Sequence, residues 1–83
     1  MAIVYVNVHL RNEILDPQGR AVLGALTRQN LSGITDVRQG KQFVLKFDGE
    51  LNSEQLTQIN NLAKELLSNP VIEDFSIEVK NET

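Results

Sequence analysis

The residues that could carry chemistry are few and lie far apart along the chain. His9 is the single histidine, and no candidate nucleophile stands beside it. A catalytic base needs a positioned partner within hydrogen-bond reach, and a metal site needs several ligands. We therefore interpret His9 as a surface or interface imidazole and expect neither a catalytic triad nor a histidine-based metal site.

Glu73 and Asp74 are neighbouring carboxylates in a segment that reads as a strand. Neighbours in a strand point to opposite faces of the sheet, so these two carboxylates diverge and cannot act as an acid pair. They are either solvated or ion-paired, or they contact a partner. The five glycines also fit no phosphate-binding motif, since neither a dinucleotide fingerprint nor a P-loop can be written through them.

Two cations flank a glycine in the run Arg38-Gln39-Gly40-Lys41. Such a pair could clamp an anion, because charge-assisted hydrogen bonds from cations are strong. The same run could equally form a solvated hairpin tip, since glycine is a common turn residue. The residues alone favour the solvated tip.

Period-two alternation predicts the strands that would position these residues. In residues 3–10, one face carries valines and Leu10, and the other carries Ile3 and Tyr5. Apolar side chains on the back of a sheet often mark a contact with another chain. Residues 35–48 predict two short strands broken at Gln39-Gly40, a hairpin, and residues 71–80 predict the last strand.

Two helices are predicted between these strands. Asp16 can cap the first, with Pro17 at its first position, and this helix runs to about Asn30. Asn52, followed three residues later by Gln55, begins the second helix. Their expected buried stripes are Val22, Ala25 and Leu26 in the first helix, and Leu56, Ile59, Ala63, Leu66 and Leu67 in the second.

The resulting order is β-α-β-β-α-β, which predicts a single small α+β domain with an antiparallel sheet and two helices packed on one face. The chain has 83 residues, and 41% of them are hydrophobic. A domain this short buries only about 60 to 65% of its unfolded surface, so oligomerisation is a common remedy.

Composition limits the cellular compartment and the classes of partner that we expect for this protein. The chain has no cysteine, which excludes a disulfide framework and favours the cytoplasm. It shows no signal peptide and no apolar run of membrane-spanning length, so we expect no membrane association. A net charge of −3 gives no general attraction to phosphate backbones, so nucleic acid is not an expected partner.

Three runs together resemble one family: Leu15-Asp16-Pro17-Gln18-Gly19, Val37-Arg38-Gln39-Gly40-Lys41 and Asn69-Pro70-Val71-Ile72-Glu73-Asp74-Phe75. The chain resembles the PurS family, the small subunit of phosphoribosylformylglycinamidine synthase (formylglycinamide ribonucleotide amidotransferase). The likeness runs from about Val4 to Glu78, with the motifs in the family's order and spacing. Arg11-Asn12-Glu13 departs from the family's pattern before the first run.

The resemblance implies a non-catalytic subunit in de novo purine biosynthesis, within a glutamine-dependent, ATP-using ligase. It implies that the chain bridges a glutaminase subunit and a large synthetase subunit and supports ammonia transfer between them. No cofactor is expected on this chain, because ATP and magnesium belong to the large subunit. Residues 1–80 are then one PurS-like domain that forms a homodimer or tetramer, and residues 81–83 are a polar tail.

With the resemblance, five residues are predicted to bind the partner subunits: Arg38, Gly40, Lys41, Glu73 and Asp74. Ile3 and Tyr5 are predicted to lie in the interface of the oligomer. Two alternatives stay open. A regulatory module of the ACT type has the same element order and binds a small molecule, so it predicts ligand-dependent stabilisation. An enzyme of an unrecognised type is disfavoured, because no dyad, triad or metal set is present.

Overall fold

The first strand forms the middle of the sheet. The computed structural model describes residues 1–81, and in it three strands pair in the order β2-β1-β3. They are β1 (Ala2–Leu10), β2 (Gly40–Phe47) and β3 (Glu73–Asn81). Both pairings are antiparallel, and Val6 lies opposite Phe43 on one side and Ile77 on the other. The predicted α+β class with an antiparallel sheet is confirmed.

The first helix, α1 (Pro17–Arg28), begins at its predicted cap and ends two residues earlier than predicted. Past its end, Asn30 and Gly33 both adopt positive φ, which reverses the chain. At the other end of the chain, β3 runs through Asn81, the first residue of the predicted tail. The rest of that tail, residues 82–83, lies outside the described residues.

The second helix, α2 (Ser53–Leu62), begins with the predicted capping box. The Asn52 side chain accepts the Gln55 N–H at 2.8 Å, and the Gln55 side chain accepts the Asn52 N–H at 3.0 Å. The helix continues into a π-helical turn, Ala63–Leu67. That wider turn changes which side chains face the sheet. Leu67 packs against the core, whereas Leu66, predicted to be buried, is 75% exposed.

The buried core joins β1 to α2. Val4, Val6 and Val8 lie beneath Ile59 and Ala63, and all five are buried. Flanking apolar side chains of the two outer strands are only partly buried; they are Phe43, Leu45, Phe47, Phe75 and Ile77. Since α2 and its π-helical turn supply the helical side of this cluster without α1, much of the sheet's apolar face keeps some contact with solvent.

The predicted hairpin at Gln39-Gly40 does not form, and the element order is β-α-β-α-β. Residues 34–39 lead into β2 without belonging to a strand. The Asp16 carboxylate accepts the Gln39 N–H at 2.7 Å, which directs the preceding residues towards α1. A Cβ on Gly40 would lie 2.5 Å from the Val8 carbonyl oxygen, so glycine serves a close approach to β1 and not a turn.

Within the chain, α1 contributes nothing to the core. Gly19 is its one buried residue, and the predicted inward stripe faces solvent at Val22, which is 43% exposed, and at Ala25. Leu26 is only partly buried. The helix therefore extends from the sheet with an apolar stripe that the chain itself does not cover. Neither helix within residues 1–81 has the length and hydropathy needed to cross a bilayer.

Candidate functional site

The five residues predicted to bind partners lie at one end of the sheet, although up to 36 positions separate them in the sequence. β1 ends there, and β2 and β3 begin there. His9 lies opposite Gly40 on one side and Asp74 on the other, and Leu10 lies opposite Glu73. We call this set, with Arg11, the sheet-end cluster; its members are Arg11, Arg38, Gly40, Lys41, Glu73 and Asp74.

Asp16 joins α1 to the start of β2. Its carboxylate is buried and accepts the Gly19 N–H at 2.9 Å and the Gln39 N–H at 2.7 Å. These two hydrogen bonds, with the nearby charge of Arg38, hold the pKa of Asp16 below its ordinary value despite burial. The cap was predicted from sequence, but its bond to Gln39 was not, because nothing local links residues 23 positions apart.

Arg38 is not the free cation that a hairpin tip would present. Its Nη2 donates to the carbonyl oxygens of Arg11 at 2.9 Å and Ile14 at 2.8 Å. These bonds tie the segment after β1 to the segment before β2. Loss of the side chain should therefore cost the fold about 1 kcal/mol, more than a solvated turn residue would. Arg38 therefore does not lie at the solvated hairpin tip that the residues alone favoured.

Lys41 and Glu73 pair on the helix side of the sheet. Lys41 Nζ lies 3.8 Å from Glu73 Oε2 and 5.8 Å from the centre of the Phe43 ring. The other oxygen of Glu73 accepts the Asn69 N–H at 2.7 Å. The Lys41 side chain is still 54% exposed, so it remains accessible to a second carboxylate from a partner.

Arg11 is the member of the cluster that sequence reasoning missed. Its Nη2 donates to the Pro70 carbonyl oxygen at 2.5 Å, and its Nε lies 3.6 Å from Asp74 Oδ1. Glu73 and Asp74 thus diverge to separate cations, as strand geometry predicted. The sequence did contain a signal for this ion pair: Arg11 directly follows β1, and the acidic residues Glu73 and Asp74 begin β3. Only the antiparallel pairing of those strands connects them.

A cleft of about 270 Å³ opens between these groups, lined by Asp16, Gln18, Gly40, Lys41, Glu73 and their neighbours. Its charges are already engaged with each other or with backbone groups. In the part of the chain that the structure describes, no three His, Cys, Asp or Glu residues are grouped to hold a metal ion. Charged side chains of both signs, Asp16, Lys41 and Glu73, line the cleft, and this suits binding by charge and shape.

The predicted oligomer interface lies on the face of the sheet away from α2. Ile3 is only 8% exposed, so it has little surface left to bury against another chain. Tyr5 is partly buried, and Lys80 Nζ lies 5.5 Å from the centre of its ring. Of the apolar side chains on this face, Tyr5 and Val44, which is 47% exposed, offer contact area.

Asp16→Ala is expected to lower the Tm by roughly 5 °C or more, and Asp16→Asn by less, because asparagine keeps a cap acceptor.

A carboxyl whose folded pKa is depressed stabilises the fold fully above its ordinary value of 3.8 and loses that contribution as pH falls through the folded pKa. The gap in Tm between parent and Asp16→Asn should therefore narrow below that pH. Thermal unfolding at fixed protein concentration measures it, with Asp36→Asn as control. A gap that stays constant on acidification contradicts the role of the charge.

Comparison with known proteins covers nearly the whole chain. The family model PurS, phosphoribosylformylglycinamidine (FGAM) synthase, matches residues 3–81. The PurS subunit of phosphoribosylformylglycinamidine synthase from Mycobacterium leprae is 52% identical over 77 residues, 93% of this chain and 94% of that protein. The subunit from Bacillus subtilis is 39% identical over 80 residues, 93% of this chain and 90% of that protein.

Solved structures show the same fold. The crystal structure of PurS from Bacillus subtilis superposes with a TM-score of 0.80 at 36% identity, covering 98% of this chain and all of that one. A chain in the structure of PurLQS from Thermotoga maritima superposes with a TM-score of 0.80, covering 96% of this chain and 99% of that one. At 22% identity, the second likeness shows the shared fold alone.

Proposed function

The chain belongs to the PurS family, and from this premise we propose that it is the small, non-catalytic subunit of phosphoribosylformylglycinamidine synthase, a glutamine-dependent ligase of purine biosynthesis. The family match across residues 3–81 carries the proposal. In Thermotoga maritima, a protein of this fold belongs to the PurLQS assembly. By analogy, this chain joins the glutaminase and the ATP-dependent synthetase subunits in the cytoplasm and also pairs with itself.

A bridging subunit has a physical use in such an enzyme. Ammonia released from glutamine at one site is the nucleophile at another, and in water at neutral pH it is protonated and loses its reactive lone pair. Holding the two sites together raises the effective concentration of ammonia at the second site. ATP and magnesium act on the large subunit in this proposal, and the chain described here binds no cofactor.

The sheet-end cluster is the proposed docking surface for the larger subunits. It gathers charges of both signs on a framework fixed by Asp16 and Arg38, and electrostatic complementarity of this kind sets partner choice and orientation. The Lys41 side chain is 54% exposed against 39% for Arg11, and the Arg38 Nη2 donates to the chain's own carbonyl oxygens. The ACT-type alternative loses its support, because the family model that matches residues 3–81 is PurS.

Sedimentation velocity of the chain mixed with the glutaminase and the large synthetase subunit tests this proposal. The parent chain is expected to sediment as a complex with both. Lys41→Ala should weaken that complex, by about 2 to 5 kcal/mol if its partner carboxylate is buried and far less at a salt-sensitive rim contact.

Lys46→Ala, in the same strand but away from the sheet end, is the matched control. If the parent chain sediments alone, the bridging role is wrong. If Lys41→Ala assembles as tightly as Lys46→Ala, Lys41 does not take part in docking.

A further inference from the structure

Two of the three most exposed large apolar side chains lie beside the sheet-end cluster. Val71, in the turn that precedes β3, is 77% exposed, the largest fraction for a large apolar residue within the described part of the chain. Leu15, in the segment between β1 and α1, is 63% exposed. Single exposed apolar residues are common on protein surfaces, whereas apolar residues grouped within a polar rim mark contacts with other proteins. Two such residues beside one charged cluster are therefore candidates for contact residues.

Hydrogen bonds hold the backbone of the turn that carries Val71. The Asn69 side-chain oxygen accepts the Val71 N–H at 3.1 Å, and the Asn69 carbonyl oxygen accepts the Ile72 N–H at 3.1 Å. Arg11 binds this turn from the end of β1. Its backbone N–H donates to the Ile72 carbonyl oxygen at 2.8 Å, and its Nη2 donates to that of Pro70. Because valine is also stiff about χ1, Val71 loses little conformational entropy when a partner covers it.

The backbone at Leu15 is held from both sides. The carbonyl oxygen of the preceding residue, Ile14, accepts a hydrogen bond from Arg38 at 2.8 Å. The following residue, Asp16, is buried, and its carboxylate accepts two backbone N–H groups. The Ile14 N–H also donates to the Arg11 carbonyl oxygen at 2.9 Å. Arg11 thus bonds both to this segment and to the turn before β3, so that one framework carries both exposed apolar side chains.

We propose that Leu15 and Val71 are the apolar anchors through which this chain docks on the large synthetase subunit. The inference rests on the proposed function and names contact residues of that site. The partner surface has an apolar recess for each anchor and a carboxylate at its rim that faces the 54% exposed side chain of Lys41. One anchor lies towards β2 and the other towards β3, so the contact spans the sheet end, which suits the largest chain of the assembly.

Fluorescence-detected sedimentation velocity of the chain with the synthetase subunit tests the anchors. Val71→Ser and Leu15→Ser are each expected to weaken binding at least about tenfold, because each removes apolar area that the partner buries. Val71→Ile keeps an apolar side chain and should bind within about threefold of the parent chain. Leu31→Ser is the matched control, since Leu31 is 51% exposed and lies beyond the far end of α1, and it should bind like the parent.

Salt separates the apolar anchors from the charged rim. At about 0.5 M salt, the loss of affinity caused by Val71→Ser should persist, because salt does not screen apolar contacts. The loss caused by Lys41→Ala should largely vanish, because a rim ion pair is screened. A loss for Val71→Ser that disappears with salt would show that this residue acts through the charges around it and would contradict the role of an anchor.

The remaining outcomes also decide the proposal. If both serine variants bind the synthetase as tightly as Leu31→Ser, the anchors are wrong while the bridging function stands. Affinity lost for the glutaminase instead, or a lower mass of the chain's own oligomer, would give the surface to another occupant and overturn the assignment. Each variant should keep its Tm within about 2 °C of the parent chain, and a variant that unfolds would show that the side chain supports the fold. A parent chain that binds neither larger subunit would end the bridging function and this inference together.

Discussion

Gly19→Ala is expected to be among the most destabilising single changes in this chain, with a cost of about 3 kcal/mol or more. Gly19 is buried, and a Cβ there would collide with the Val37 carbonyl oxygen and lie 2.9 Å from Asp16 Oδ2. The first is a backbone atom. The second belongs to a carboxylate whose Oδ1 accepts the Gly19 N–H and whose Oδ2 accepts the Gln39 N–H. Neither can move without separating the base of α1 from the segment that precedes β2.

Gly24→Ala is the matched control, since it makes the same change in the same helix. Its Cβ would meet only the flexible Arg28 Nη1, at 3.4 Å. Alanine within a helix is favoured over glycine by up to about 1 kcal/mol. Urea unfolding at equal protein concentration should therefore give opposite signs for the two variants. Equal effects would show that the close packing at Gly19 does not decide the stability of this region.

Local signals in the sequence predicted the elements well. Alternation around Val4, Val6 and Val8 located β1, and Asn52 with Gln55 located the start of α2 through the capping box. Each of these signals acts within a few residues, where hydrogen-bond geometry or side-chain period fixes the outcome. Such signals depend little on what the rest of the chain does.

The features that the sequence did not predict arise from contacts between distant residues. The Asp16 bond to Gln39 replaced the expected hairpin, and the π-helical turn moved Leu66 to the surface. The apolar stripe of α1 was predicted to be buried, but Val22 and Ala25 face solvent. A stripe alone does not say what covers it.

The residues predicted to form a partner-binding site lie close together in the structure, and their function stays a prediction. All five predicted partner-binding residues lie at one end of the sheet because β1, β2 and β3 meet there. The Asp16, Pro17 and Gly19 run that first suggested the family has a structural role, since it caps α1 and packs its base. That the charged residues beside it contact partners stays a prediction. Sedimentation velocity of Lys41→Ala mixed with the larger subunits tests it.

Leaving this chain out of a reconstituted synthase is expected to lower glutamine-dependent turnover by more than about tenfold, because ammonia then escapes before it reaches the synthetase. Turnover supported by a high concentration of ammonium salt should change by less than about twofold, since supplied ammonia needs no bridge. The two nucleophile sources share every later step. Their difference therefore isolates the coupling that the small subunit provides.

The ratio of glutamine-dependent to ammonium-dependent turnover, measured with and without the chain, is the most direct test of its role as a non-catalytic bridge. A glutaminase and a synthetase at fixed concentrations are titrated with the parent chain, and Gly19→Ala serves as a variant with a damaged α1 base. We expect the ratio to rise and saturate with the parent chain and to rise less with the variant. A ratio that is unchanged by the chain, or an ammonium-dependent rate that falls in step with the glutamine-dependent rate when the chain is removed, would contradict this account.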